Sequence, residues 1–249
     1  MLRSALKASI FAFTIVLAPA AQACGAAYPG GPMVCTMDDA PSRQPRPRVA
    51  LSWSYTTTTI LFGSGRRADL RRHTVFAGSE IPLGRSLAIR FGAGGIVEGE
   101  LVKKTSAARS VSTFGPGASV FAGIAGTLID ERPMVPFLQI GLTLSVSRAV
   151  TRGPLDTTFF TALDARGSAT AGKTLQVAGL NVVPYAAVRA FGGPVYTRFA
   201  GADVTGTDLY KYQVAGGVAV ARPDRSFDLF AEAVPAGEGG FAAGLGTAF

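Results

Sequence analysis

A chain of 249 residues with 48% hydrophobic and only 16% charged residues is unlike an ordinary soluble domain, where about 25% of residues carry charge. Its two cysteines and single histidine cannot build a recognisable metal site, and no cofactor is expected. The net charge of +8 points to an anionic partner such as nucleic acid or lipid headgroups.

The first 23 residues have the form of a secretory signal peptide. Arg3 and Lys7 supply the positive start, Ile10 to Leu17 the apolar stretch, and Ala21-Gln22-Ala23 the small-residue cleavage site. The apolar stretch is shorter than the ~20 residues of a spanning helix. Residues 24–47 follow as a tail rich in Gly, Pro and Arg. In an oxidising compartment its Cys24 and Cys35 form a disulfide by default. The alternative is a lipid on Cys24, although Ala21 stands where lipoprotein cleavage boxes usually carry Leu.

From residue 48 onward the pattern is period two, which is the signature of strands with one apolar face. Val49, Leu51, Trp53 and Tyr55 oppose Ala50, Ser52 and Ser54. Leu138, Ile140, Leu142 and Leu144 oppose Gln139, Gly141 and Thr143, and Tyr210, Tyr212 and Val214 oppose Lys211, Gln213 and Ala215. Ten strands are expected, at 48–62, 73–82, 86–102, 111–129, 134–148, 175–191, 194–204, 209–222, 226–234 and 240–249. Eight or twelve are the alternatives, the sixth being blurred by Val182, Val183 and Pro184.

Many of these strands exceed the five or six residues usual in soluble sheets and reach the ~9–11 needed to cross a bilayer at a tilt. Short connections (Pro82–Arg85, Asp130–Pro133, Gly192–Pro194, Arg222–Arg225) alternate with mostly longer ones (Gly63–Arg72, Lys103–Ser110, Ala149–Thr174, Thr205–Asp208, Pro235–Gly239). Short turns on one side and longer loops on the other are the layout of an outer-membrane barrel, with both termini on the periplasmic side. The expected fold is therefore all-β, a transmembrane antiparallel up-and-down barrel over residues 48–249. A closed barrel pairs every backbone polar group without needing a long apolar segment. A secreted β-sandwich explains the alternation equally well, but strand length and hydropathy less well.

The last ten residues, GFAAGLGTAF, put Phe241, Ala243, Leu245, Thr247 and Phe249 on one face. This resembles the C-terminal targeting strand of Gram-negative outer-membrane β-barrel proteins of the small OmpA/OmpW-like class, with Thr247 as a departure. The resemblance implies an outer-membrane location, lipopolysaccharide and other outer-membrane lipids as surroundings, and insertion by the barrel-assembly machinery with Phe241, Leu245 and Phe249 as the signal. It carries no catalytic residues. Trp53, Tyr55, Tyr210 and Tyr212 suit interfacial aromatic girdles.

Candidate chemistry is sparse. The basic run Arg66, Arg67, Arg71 and Arg72 suits lipopolysaccharide phosphates, since guanidinium pairs bidentately with phosphate; a solvated loop is the alternative. Nucleic acid is not expected, because these arginines lack an aromatic platform and the chain looks exported. Glu80, Arg90, Glu98, Glu100, Arg189, Arg198, Lys211, Asp228 and Glu232 fall on lumen parity. With Phe76, Phe121, Tyr185 and Phe230 they suit a filled, narrow lumen rather than a small-solute channel. Some outer-membrane barrels hydrolyse lipid or peptide, and Asp69 and His73 are the residues to test for that. His73 shares parity with Val75 and Ala77 and should point outward, so no enzyme is expected.

The octapeptide GSATAGKT, Gly167 to Thr174, matches the phosphate-cradling pattern of nucleotide hydrolases. It needs a helix after it, whereas LQVAGLNVVPY follows with Gly179 and Pro184 inside it. No nucleotide is expected, and the segment is placed at the end of the longest outer loop.

Overall fold

The computed structural model describes residues 47–249 apart from 64, 85, 105–108, 154–156, 200 and 224–226. The signal peptide and the Cys24–Cys35 pair lie outside the described residues. The described chain forms β1 (Arg48–Phe62), β2 (Arg67–Pro82), β3 (Leu87–Lys104), β4 (Arg109–Ile129), β5 (Phe137–Arg152), β6 (Thr157–Gly172) and β7 (Leu175–Val177). It continues through β8 (Leu180–Gly192), β9 (Val195–Phe199), β10 (Ala202–Asp208), β11 (Tyr212–Ala221), β12 (Phe227–Gly237) and β13 (Gly239–Ala248). Every pairing is antiparallel, and β13 returns to β1 along ten residue pairs, from Arg48 opposite Ala248 to Thr57 opposite Gly239. The sheet is a closed barrel.

Its wall holds ten strands, because two pairs of short strands are each one interrupted strand. β8 and β9 run along β6 in a single register, Ala165 opposite Gly192 and Ala162 opposite Val195. Between them the Leu163 amide still donates to the Pro194 carbonyl at 3.0 Å. β10 pairs with β9 and β11 with β8 in the same way, with a one-residue slip across 209–211. β7 is a short hairpin arm at the barrel end that also bears the two termini of the described chain, turning through Ala178 and Gly179 at positive φ.

The expected count of ten holds through two compensating errors. Most of the connection expected at 149–174 is β6, and the strand expected at 194–204 is the end of one wall strand, a turn at Gly201 and the start of the next. Gly192–Pro194, expected as a short turn, is the junction inside the β8–β9 wall strand. The basic stretch expected as a loop to residue 72 is mostly β2. GSATAGKT lies in β6 and the turn after it, at the opposite end of the barrel from the outer loops. Its backbone from Gly167 to Gly172 is committed to the sheet ladder, and Thr174 is held by Glu131 through its amide (2.8 Å) and hydroxyl (2.7 Å).

The wall has two heights. β12 and β13 turn back at Gly237–Gly239, level with Thr57 of β1. Beyond that point β1 pairs directly with β10, Ile60 opposite Asp208. Ten strands therefore enclose the half nearer the termini, and eight (β1–β6, β9 and β10) enclose a narrower collar beyond it. Two bulges mark the transition. In β3 the pairing with β2 slips between Thr74–Ile96 and His73–Glu98, and in β4 the pairing with β5 slips across Gly115–Pro116. Each extra residue reverses which parity faces inward.

Below the collar the outward face is apolar on every strand, with Leu51, Phe91, Ile124, Leu142, Val188 and Leu229 all exposed. On β3 this band runs from Leu87 to Val97. Ten residue steps at the usual tilt make it roughly 25 Å tall, the height of the apolar band on membrane barrels. At its collar-side edge Trp53, Tyr55, His73 and Phe241 cluster outward, with Trp53–His73 centroids 5.6 Å apart and Tyr55–His73 4.9 Å. The inward face carries the buried side chains.

Candidate functional site

Inward positions fill the lumen in layers. Nearest the termini, four wall strands bring charges into one belt. Arg48 of β1 grips Asp228 of β12 with two guanidinium donors, Nε at 3.1 Å and Nη2 at 2.5 Å. Arg90 of β3 lies 3.4 Å from Glu80 of β2, and Glu80 stands opposite both Arg48 and Arg90 in the ladder. The intervening β13 makes room with Gly246, where any side chain would strike the Arg48 guanidinium.

Next comes an aromatic layer of Phe76, Phe121, Phe137, Tyr185 and Phe230. Phe76 and Phe121 meet edge to face at 5.8 Å and 77°, the arrangement that ring quadrupoles favour. The wall is hollowed to seat these rings: a Cβ on Gly92 would lie 2.6 Å from Phe121, and one on Gly244 2.5 Å from Phe230.

A second charged layer sits at the level of the β12–β13 turn. Arg189 holds Glu232 with both terminal nitrogens, at 2.8 and 2.6 Å, and the Tyr185 hydroxyl donates to the same carboxylate at 3.2 Å. Arg166 donates to Glu238 (3.1 Å), Asp164 (3.2 Å) and the Gln213 amide oxygen (3.1 Å), and its guanidinium lies 4.3 Å from the Phe191 ring centre. Gln213 donates in turn to Glu238 at 2.6 Å. The charged groups and Gln213, with Ser119, Ser147 and Thr58, line a cavity of about 90 Å³, enough for a few waters. Asp164 Oδ1 has no protein partner beside it.

The collar interior is apolar. Ile60, Phe62, Leu70, Leu101, Phe114 and Phe160 are buried together, with Phe114 and Phe160 edge to face at 4.9 Å. Asp208, on the collar strand β10, accepts from the Thr58 hydroxyl at 2.9 Å across the seam where β10 replaces β13 beside β1. Burial, reinforced by the Glu238 charge, pushes its carboxyl up to about 6.

Of the nine expected lumen charges, Glu80, Arg90, Arg189, Asp228 and Glu232 are buried inside. The other four are not. Glu98 and Glu100 lie beyond the β3 bulge, which turns them outward and puts Leu101 in their place. Arg198 is exposed on β9 and pairs with Asp203 at 2.9 Å. Lys211 is exposed where β10 slips into β11. Sequence reasoning missed Arg48, Arg166, Gln213 and Glu238. Arg48 shares parity with Ala50 and Ser52 and was legible; Arg166 and Glu238 fell in segments taken for loops.

The basic run does not form one surface. Arg66 and Arg67 are exposed at the β1–β2 tip, and Arg71 points outward opposite Glu100. Arg72 turns toward the cavity and donates to the Thr56 hydroxyl at 3.2 Å. Asp69 accepts from Thr59 at 2.9 Å, while His73 packs on Trp53 and Tyr55. Phe241, Leu245 and Phe249 are exposed on the outer face of β13 and just past it.

No family model and no curated protein matches the chain. Among solved structures it is similar to the transport unit of the autotransporter AIDA-I from Escherichia coli, at 9% identity over 86% of this chain and 93% of that one, with a TM-score of 0.44. It is also similar to the translocator domain of the autotransporter NalP from Neisseria meningitidis, at 12% identity over 84% and 90%, TM-score 0.45. The beta domain of the Bordetella autotransporter Brka gives 14% identity over 82% and 99%, TM-score 0.43.

Proposed function

We propose that this chain is an integral outer-membrane β-barrel of a Gram-negative envelope, with a structural or surface-interaction role and a lumen closed to solutes. One observation carries the reading: an apolar band encircles a wall whose backbone is paired all round, while side chains fill the interior at successive heights. A soluble protein would bury that band. A bilayer accepts it and demands the closed ladder. The end bearing the termini faces the periplasm and the collar stands at the cell surface.

The leader at residues 1–23 directs export, and Phe241, Leu245 and Phe249 present the assembly signal. Arg66, Arg67 and Arg71 lie on the surface side, where lipopolysaccharide phosphates are the available anions. The role is non-catalytic, without nucleotide or nucleic acid. His73 packed among aromatics, with Asp69 held by a threonine, supports this.

The test is extraction and gel mobility. Membranes from expressing cells should release the protein only to detergent, and unheated samples should migrate faster than boiled ones. A protein freely soluble after export, or one with no heat-dependent shift, overturns the reading.

A further inference from the structure

The outer face of β5 changes chemistry within a few residues. Leu142, Leu144 and Val146 are exposed and apolar, with Leu163 of β6 beside them. The next outward residue is Arg148, whose guanidinium lies 4.2 Å from the centre of the exposed Phe159 ring. Arg152 repeats the charge on the same face, four residues further on, or roughly 13 Å along the strand. Tyr196 of β9 stands opposite Thr161, which itself stands opposite Arg148, and adds a second exposed aromatic ring.

Among the described residues, no carboxylate pairs with Arg148 or Arg152. The cross-strand neighbours are Ala118 and Thr161 for Arg148, and Thr113 and Thr157 for Arg152. Two other surface cations differ: Arg71 stands opposite Glu100, and Arg198 pairs with Asp203. Unneutralised guanidinium directly above an apolar strip, flanked by aromatic rings, is complementary to a molecule with acyl chains below and a phosphorylated sugar above.

We propose that the outward face of β5 and β6, headed by Arg148 and Arg152, docks the phosphorylated headgroup of an outer-leaflet glycolipid. Its acyl chains lie along Leu142, Leu144, Val146 and Leu163. The proposal rests on the outer-membrane orientation given above, and it moves the main phosphate contact away from the Arg66–Arg72 run.

The experiment uses the full chain purified in neutral detergent, with bisphosphorylated lipid A, dephosphorylated lipid A and phosphatidylglycerol as probes, and retention read by native mass spectrometry. Wild type should retain bisphosphorylated lipid A about tenfold better than either other lipid. The double variant R148Q/R152Q should lose most of that preference, while R66Q/R67Q/R71Q should lose clearly less of it. Equal retention by wild type and R148Q/R152Q overturns the proposal, as does loss confined to the triple variant. Equal retention of phosphatidylglycerol by wild type also overturns it, by assigning the face to phospholipid. If the double variant does not assemble, R152Q alone must lower the preference by about threefold or more. Wild-type mobility on unheated gels reports the membrane reading separately, so failure of the barrel and failure of the lipid site are distinguishable.

Discussion

Arg189 and Glu232 are the most completely buried ion pair among the described residues, with side-chain exposures of 1% and 0%. Both carboxylate oxygens are engaged, so the pair is held by geometry as well as charge. Desolvating two ions offsets much of their attraction, but removing one partner strands the other in a low-dielectric interior, at about 3–5 kcal/mol. Glu232→Ala should therefore lower the urea midpoint of the folded gel band strongly. Glu232→Gln, which keeps the shape and part of the hydrogen bonding, should lower it less. A loss under about 1 kcal/mol for Glu232→Ala would mean that water from the adjoining cavity solvates Arg189, and the layer would not be a tight plug. Both charges were legible in the sequence as lumen-parity positions, Arg189 between outward Val188 and Ala190 and Glu232 between outward Ala231 and Ala233, but their pairing was not. Gln213 shows what parity alone misses: it reads as filler, yet it links Arg166 to Glu238.

Strands with large outward side chains announced themselves, and β6 did not. Its outward positions past Leu163 are Ala165, Gly167, Ala169 and Ala171, facing inward Asp164, Arg166, Ser168 and Thr170. Small against polar gives almost no period-two contrast, so the segment reads as a loop. Bulges are the second blind spot, since one extra residue leaves local composition untouched while reversing every face beyond it. The β3 bulge at Val97 has a direct test. Glu98 already points outward past the extra residue, so deleting Val97 joins inward Ile96 to outward Glu98 and leaves Arg90 and Leu101 inward. The deletion should therefore keep most of the heat-shifting assembled form, and E98Q/E100Q should leave it within about 0.5 kcal/mol of wild type. A deletion variant that no longer assembles would show that the bulge itself, and not only the parity on either side of it, is needed.

The layers sit in series along one axis, and that order decides what the whole molecule can pass. Barrels of about eight strands are just wide enough for side chains to fill, and open aqueous channels belong to walls of sixteen or more. Ten strands narrowing to eight place this chain near the filled limit. A solute would have to cross the Arg48–Asp228 belt, the aromatic layer, the Arg166–Arg189 network and the apolar collar in turn. Conduction then requires every layer to open, so weakening one should change stability without creating a pore. In planar bilayers the wild-type protein should show no stepwise current. F114A/F160A, which empties the centre of the collar, should also stay silent, because Phe76, Phe121 and the charged layers remain beneath it. Its cost should appear instead as a lower unfolding midpoint, about 3–5 kcal/mol for each deleted ring that leaves a cavity. Steps in the wild-type record would sink the closed-lumen reading, and steps confined to F114A/F160A would make the collar the sole gate.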